Sequence, residues 1–170
     1  KAMAKAYKPA RERITEFKIN WNIVSWPGSA WASRVFPELP LDEAIVKLSD
    51  AIFDASRASV DDPIQAWDDH NEKLRIKTNW LNEKNFAALQ YNGPNTNLRV
   101  GLADEHEWMG GASKAQNGII CNPNIPSEEV FTTPHAYKVD GTVSSTKPLS
   151  YQGTLIDNIK VTFKEGKIIE

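Results

Sequence analysis

The chain has 170 residues, 41% hydrophobic and 25% charged, enough apolar material for one compact globular unit with a real core. A net charge of −2 and a pI near 6.0, with lysines and arginines scattered along the chain, exclude the basic field that nucleic-acid binding requires. The apolar runs are too short to span a bilayer, no charged-then-apolar signal opens the chain, and Cys121 as the single cysteine excludes a disulfide framework, so the expectation is a cytoplasmic protein with no membrane partner.

Residues 1–17 read as helix, with Pro9 either breaking it or opening a second helix at Ala10. The helix opens without a cap, on Lys1 and not on methionine, which points to the interior of a longer polypeptide. Lys18 to Trp26 alternates as a strand, with Ile19, Trp21 and Ile23 on one face, and Pro27-Gly28 ends it. Ser29 is placed to cap a short helix through Val35, which Pro37 and Pro40 stop.

The clearest helix spans about Leu41 to Ala58, where Leu41, Ala44, Ile45, Leu48, Ala51, Ile52 and Ala55 form one apolar stripe at spacings of three and four. Asp61 or Asp62 then caps a second helix with Pro63 in its first turn, running through Trp67, Leu74 and Leu81. His70, among Asp68, Asp69, Asn71 and Glu72, has no second histidine one turn away, so it reads as part of a solvated face and not as a metal ligand.

From Phe86 the pattern turns to β, with turn signals at Asn92-Gly93-Pro94-Asn95, Gly110-Gly111, Asn117-Gly118, Asp140-Gly141 and Gln152-Gly153. Phe86–Tyr91 and Leu98–Leu102 form a hairpin, Thr154 to Phe163 alternates as one strand, and Lys164-Glu165-Gly166-Lys167 returns it to Ile168-Ile169. The fold class expected is α+β: one compact unit over 1–170, with a helix-rich part at 1–85 and a mainly antiparallel β-rich part at 86–170.

Glu105-His106-Glu107-Trp108-Met109-Gly110-Gly111 reads as a polar turn, since no phosphate loop, G-x-S-x-G or H-E-x-x-H is present. Cys121 reads as a small buried residue, and no pattern ties His70, His106 or His135 to it as a base. Most of the six tryptophans are expected to pack. An exposed set beside carboxylates would instead suit a peptide- or carbohydrate-binding module that catalyses nothing.

The strongest chemical signal is Asn122 to His135, where Pro123, Pro126 and Pro134 stiffen the backbone on both sides of Glu128 and Glu129. If the run is extended, the two carboxylates leave opposite faces and cannot share one task. The plainer alternatives are a helix capped by Ser127 with both glutamates in its first turn, or a solvated edge strand.

The run N-x-P-S-E-E-V-F-T-T-P-H at 124–135, G-T-V-S-S-T-K-P-L-S-Y-Q-G at 141–153 and I-D-N-I-K-V-T-F-K-E-G-K at 156–167 resembles the M29 metallo-aminopeptidases. Trp21 to Pro27, Ala30-Trp31-Ala32, Val35-Phe36-Pro37, Leu81 to Phe86 and Trp108-Met109-Gly110-Gly111 extend the resemblance over nearly the whole chain. It implies part of a larger two-domain α/β metallopeptidase that removes N-terminal residues from peptides. It further implies two divalent ions of zinc, cobalt, manganese or magnesium in the intact enzyme, and a homodimer. Family members are more than twice this length, with the remaining ligands in a C-terminal half that serves here as a missing partner. The piece alone is therefore expected to hold no metal and to have no catalytic residues of its own. Through the Glu-Glu-Val-Phe motif, the resemblance assigns the first metal ligand to Glu129 ahead of Glu128.

Overall fold

The computed structural model describes residues 2–151 and 154–170. In chain order its helices are α1 (Ala2–Thr15), α2 (Ser29–Val35), α3 (Leu41–Ala55) and α4 (Pro63–Lys84). The strands are β1 (Ile23–Val24), β2 (Ala88–Gly93), β3 (Thr96–Leu102), β4 (Met109–Gly110), β5 (Ser113–Lys114), β6 (Ile120–Cys121) and β7 (Asn124–Ile125). They continue as β8 (Val130–Phe131), β9 (Pro134–Ser144), β10 (Leu149–Tyr151), β11 (Thr154–Ile156), β12 (Lys160–Lys164) and β13 (Lys167–Ile168). The class is α+β, with helices in the first half and mostly antiparallel strands in the second, as the sequence pattern indicates.

Packing divides the chain differently from secondary structure. One compact unit comprises residues up to Lys77 together with Gly110–Val130, and the other comprises Thr78–Met109 with Phe131–Glu170. The division expected at 85/86 follows the change from helix to strand, whereas the acidic run up to Val130 belongs to the helical unit.

In the helical unit, α3 carries Asp42 and Glu43 in its first turn, where negative charge complements the helix dipole. Its buried stripe is narrower than expected: Ala44, Leu48 and Ile52 join Ala32 of α2 in a core flanked by Phe36, Leu39 and Ile45. Leu41, Ala51 and Ala55 stand exposed at the edges of that stripe. Ser29 does not cap α2. It is the first helical residue, and Gly28 takes the cap position with its carbonyl accepting from Ala32 N–H at 2.9 Å. Asp62 does cap α4, its Oδ1 accepting from Gln65 N–H at 2.9 Å. Helix α1 runs through Pro9 without ending there, forgoing only the hydrogen bond that proline cannot donate.

The strand expected over 18–26 shortens to Ile23–Val24, which pairs in parallel with Asn124–Ile125. Pro123 and Pro126 bracket the partner strand, and without their N–H groups the ladder has no means of growing. Cys121 is half-buried and free.

The second unit is built on a five-stranded sheet in the order β13-β12-β9-β3-β2. The β2–β3 hairpin forms as expected, closed by Pro94 and Asn95, with Asn95 at φ 54°. The β12–β13 turn also forms, with Glu165 at φ 49° and Gly166 at φ 76°, the left-handed pair that a two-residue type I′ turn requires. The single strand expected over 154–163 is instead two, broken at Asp157-Asn158, where Asn158 takes φ 54°. Strand β11 pairs with β10 and β12 pairs with β9, so consecutive segments serve different partners. The turn expected at Gln152-Gly153 lies outside the described residues.

The turn expected at Asp140-Gly141 is absent, because Gly141 sits inside β9, paired with Leu98 on one side and Phe163 on the other. Its φ is +115°, and a Cβ there would lie 2.1 Å from the Asn97 carbonyl oxygen. Glycine serves here as a point of close backbone approach within a strand. Gly141→Ala is expected to lower stability by about 2–4 kcal/mol, combining backbone strain with a forced shift of the ladder. Gly93→Ala, where nothing lies within 4 Å, serves as the comparison in urea unfolding. Equal midpoints for the two variants would refute the assignment.

Candidate functional site

The acidic run is held from one helix. On α4, Trp67, His70, Asn71, Leu74, Thr78 and Leu81 recur at helical spacing and face inward, so His70 is buried rather than part of the solvated face that its acidic neighbours suggested. Asn71 exchanges two amide hydrogen bonds with Asn122, at 3.0 and 2.8 Å, and its Oδ1 also accepts from Ala112 N–H at 3.0 Å. One residue back, His70 Nε2 lies 2.6 Å from the Ser127 carbonyl. Adjacent helix positions thus fix the two ends of residues 122–127.

Arg57 supplies the third hold. It follows the C-cap Ser56 of α3 in a Schellman arrangement, with Ala58 N–H reaching Phe53 O at 2.8 Å and Arg57 N–H reaching Asp54 O at 3.1 Å. Glycine is the usual residue at such a position, yet an arginine stands here at φ 57°. Its guanidinium lies over the Trp67 ring at 5.2 Å and donates to both Glu128 oxygens, at 2.6 and 3.1 Å. A further N–H of Arg57 reaches His70 Nδ1 at 3.1 Å.

That last contact fixes the imidazole. A guanidinium only donates, so Nδ1 accepts, and the ring is neutral with its proton on Nε2, donating to Ser127 O. Glu128 Oε2 also lies 3.5 Å from Nε2. Hydrogen bonding from Arg57 holds the Glu128 carboxyl below its ordinary value, opposed in smaller measure by burial. Trp67 is likewise engaged, its indole N–H donating to Ser56 O at 2.8 Å and its ring stacked edge-on against His70, so it offers no open platform for a sugar or base. Trp26, Trp31 and Trp80 do stand exposed, half of the six rather than the expected minority.

Ser127 to Glu129 form neither the capped helix nor a regular strand; β8 begins only at Val130. The two glutamates part company. Glu128 turns to Arg57, while Glu129 is exposed and makes no polar side-chain contact among the described residues. Gly110 approaches the Glu129 backbone so closely that a Cβ would lie 2.7 Å from the Glu129 carbonyl oxygen.

Tested against a divalent ion, this donor set fits only in part. Glu129 offers a free carboxylate of the hard-oxygen kind that such ions accept, whereas the Glu128 oxygens are already committed to a cation. Among the described residues no group of three or more His, Cys, Asp or Glu side chains comes together to hold a metal. Of the run 105–111 read as a polar turn, only its start turns, at Asp104-Glu105, with His106 Nδ1 3.0 Å from Ala103 O; Trp108 is buried and Met109–Gly110 form β4.

Sequence reasoning had no means of finding Arg57, which pairs with a residue 71 positions away. The inward face of His70 was readable, since it lies three residues after Trp67 and four before Leu74.

Comparison with known proteins places this chain in a family. Aminopeptidase T of Thermus thermophilus is 50% identical over 170 residues, covering 100% of this chain and 42% of that protein. Aminopeptidase 2 of Geobacillus stearothermophilus is 45% identical over 170 residues, covering 100% of this chain and 41% of that protein. The solved structure of wild-type AmpT from Thermus thermophilus superposes with a TM-score of 0.90 at 47% identity, covering 98% of this chain and 41% of that one. The chain therefore spans about two fifths of the length of these relatives. The model of the thermophilic metalloproteases (M29) matches residues 1–170 throughout, and the chain belongs to that family.

Proposed function

We propose that this chain is part of a two-metal aminopeptidase and contributes one metal ligand, Glu129. The observation that carries the reading is the division of labour in the acidic pair: Glu128 is paired with Arg57, and Glu129 keeps an exposed side chain with no polar contact among the described residues. Relatives named as aminopeptidases, matched along the whole chain, support the reaction class. Zinc, cobalt, manganese and magnesium all suit a carboxylate donor. A bound metal pair supplies Lewis-acid polarisation of the scissile carbonyl and lowers the pKa of an attacking water. The contribution of this chain is to hold one anionic oxygen ligand in place, while Glu128, tied to a guanidinium, is not free to receive the α-ammonium group of a peptide.

Peptide substrates, a C-terminal half that completes the ligand set, a homodimeric assembly and a cytoplasmic setting belong to the same proposal. No helix among the described residues is long and apolar enough to cross a membrane.

The experiment compares the intact enzyme with the 170-residue chain on a leucyl chromogenic substrate, with zinc or cobalt added. Catalytic metals need about three protein ligands and this chain offers one, so turnover is expected from the intact enzyme and none from the chain. Turnover by the chain alone, or turnover by the intact enzyme after exhaustive chelation, would overturn the proposal.

A further inference from the structure

We infer that strand β2 is a contact between two copies of this chain in the intact enzyme, the open edges of the two five-stranded sheets pairing antiparallel about a two-fold axis at Gln90. The inference rests on the homodimeric assembly proposed above, to which it gives a surface, and is independent of the metal reading.

Strand β2 is the outer strand of its sheet, paired on one side only, with β3. Leu102 N–H donates to the Ala87 carbonyl at 2.9 Å, and the two-residue turn at Pro94-Asn95 sets Gly93 against Thr96. An antiparallel ladder alternates, so Ala87, Leu89, Tyr91 and Gly93 turn their backbone N–H and C=O groups toward β3, and Ala88, Gln90 and Asn92 turn theirs outward. Among the described residues nothing bonds to these outward groups. An open edge is normally blunted by charge, proline, a bulge or brevity. Strand β2 uses none of these: it runs six residues in unbroken register with β3, carries no charge from Ala88 to Gly93, and meets its nearest proline only in the turn beyond.

The edge is complementary to itself. A two-fold axis at Gln90 sets Gln90 opposite Gln90 of the second copy and Ala88 opposite Asn92 of the second copy, so each outward N–H meets an outward carbonyl. Leu89 of one copy and Tyr91 of the other then face each other as non-hydrogen-bonded pairs, which bring side chains closest. Within each copy Leu89 lies beside Val100 and Tyr91 beside the buried Leu98, so the seam joins two apolar sheet faces and covers Tyr91, which is 48% exposed. A two-fold contact sets any charge at its axis against itself, and the uncharged strand meets no such repulsion. A partner recognised by charge finds no counter-charge on it.

The test uses the intact enzyme, with the dimer dissociation constant read by analytical ultracentrifugation. Gln90 is exposed, its amide donating to Asn97 Oδ1 at 2.9 Å, so its substitution disturbs little within one copy. Gln90→Lys and Gln90→Glu each place like charges face to face at the axis and are expected to weaken dimerisation by about 10-fold or more. Mixing the two variants should restore wild-type affinity, a recovery that misfolding cannot produce. Gln90→Cys should form a disulfide-linked dimer under mild oxidation where the wild type does not, because opposed residues of a hydrogen-bonded pair stand about 5.5 Å apart at Cα, within disulfide reach. This variant decides the matter should the charged ones fail to fold. A dimer of wild-type affinity in both charge variants, a loss in both that mixing does not restore, or no cross-link through Gln90→Cys would overturn the β2 contact and leave the homodimer standing. An intact enzyme that stays monomeric at every concentration would overturn both.

Discussion

Glu129→Gln in the intact enzyme is expected to lose bound metal and several orders of magnitude in kcat, with the fold unchanged. The substitution keeps the shape of the side chain and removes its charge, and a neutral amide oxygen is a poor replacement for a carboxylate beside a divalent ion. Stability should hardly move, because the Glu129 side chain is exposed and makes no polar contact among the described residues. Glu128→Gln is expected to be milder in rate, since the amide oxygen still accepts from Arg57 and Glu129 keeps its carboxylate. If Glu129 were only a solvated side chain, its variant would cost less than about 0.5 kcal/mol and turn over normally. Elemental analysis of bound metal beside kcat for both variants separates these cases, and full occupancy with full activity in Glu129→Gln would sink the assignment.

Leu74→Ala should produce the largest loss of stability, about 2–5 kcal/mol, from lost transfer free energy plus the cavity left behind. Leu74 is 2% exposed and is the largest of the fully buried side chains. It packs against Gly111, where an added Cβ would meet Leu74 Cδ1 at 3.2 Å, and Gly111 itself holds φ +69°. Collapse into the space is hindered on that side, because a glycine has no side chain to move in. Leu74 also stands one turn from His70 and Asn71 on α4, so the loss should loosen the two residues that fix the acidic run. Urea unfolding of the 170-residue chain provides the measurement, and a midpoint within error of wild type would show that α4 does not anchor this core.

The acidic run lies where local rules stop. Proline spacing marked it as a stiff segment, and Glu-Glu-Val-Phe together with the family resemblance ranked Glu129 over Glu128. Neither could reveal that Glu128 is bound by a cation at the far end of another helix. The solvated-face reading of His70 weighed its neighbours in sequence, Asp68, Asp69 and Glu72, which lie on other sides of the helix. Its neighbours in space are Trp67 one turn back and Leu74 one turn on, and they place it inside. The strand expected over 154–163 failed for a related reason: alternation of Leu155, Asp157, Ile159, Val161 and Phe163 is satisfied equally by one long strand or by two short ones with separate partners.

By itself the sequence determined the elements whose causes act within a few residues. These are α3 through its three-and-four spacing, the start of α4 through Asp62 and Pro63, the hairpin at Pro94-Asn95 and the turn at Glu165-Gly166. Only the tertiary structure decided that Gly141 is a point of close approach inside a strand, and that β1 stops after two residues against a proline-bracketed partner. It also decided that Arg57 closes on Glu128 across 71 residues, leaving Glu129 as the unengaged carboxylate. Periodicity, capping and turn chemistry are properties of neighbouring residues, so a single sequence displays them. Which cation meets which carboxylate depends on how distant segments pack, and no local pattern encodes that pairing.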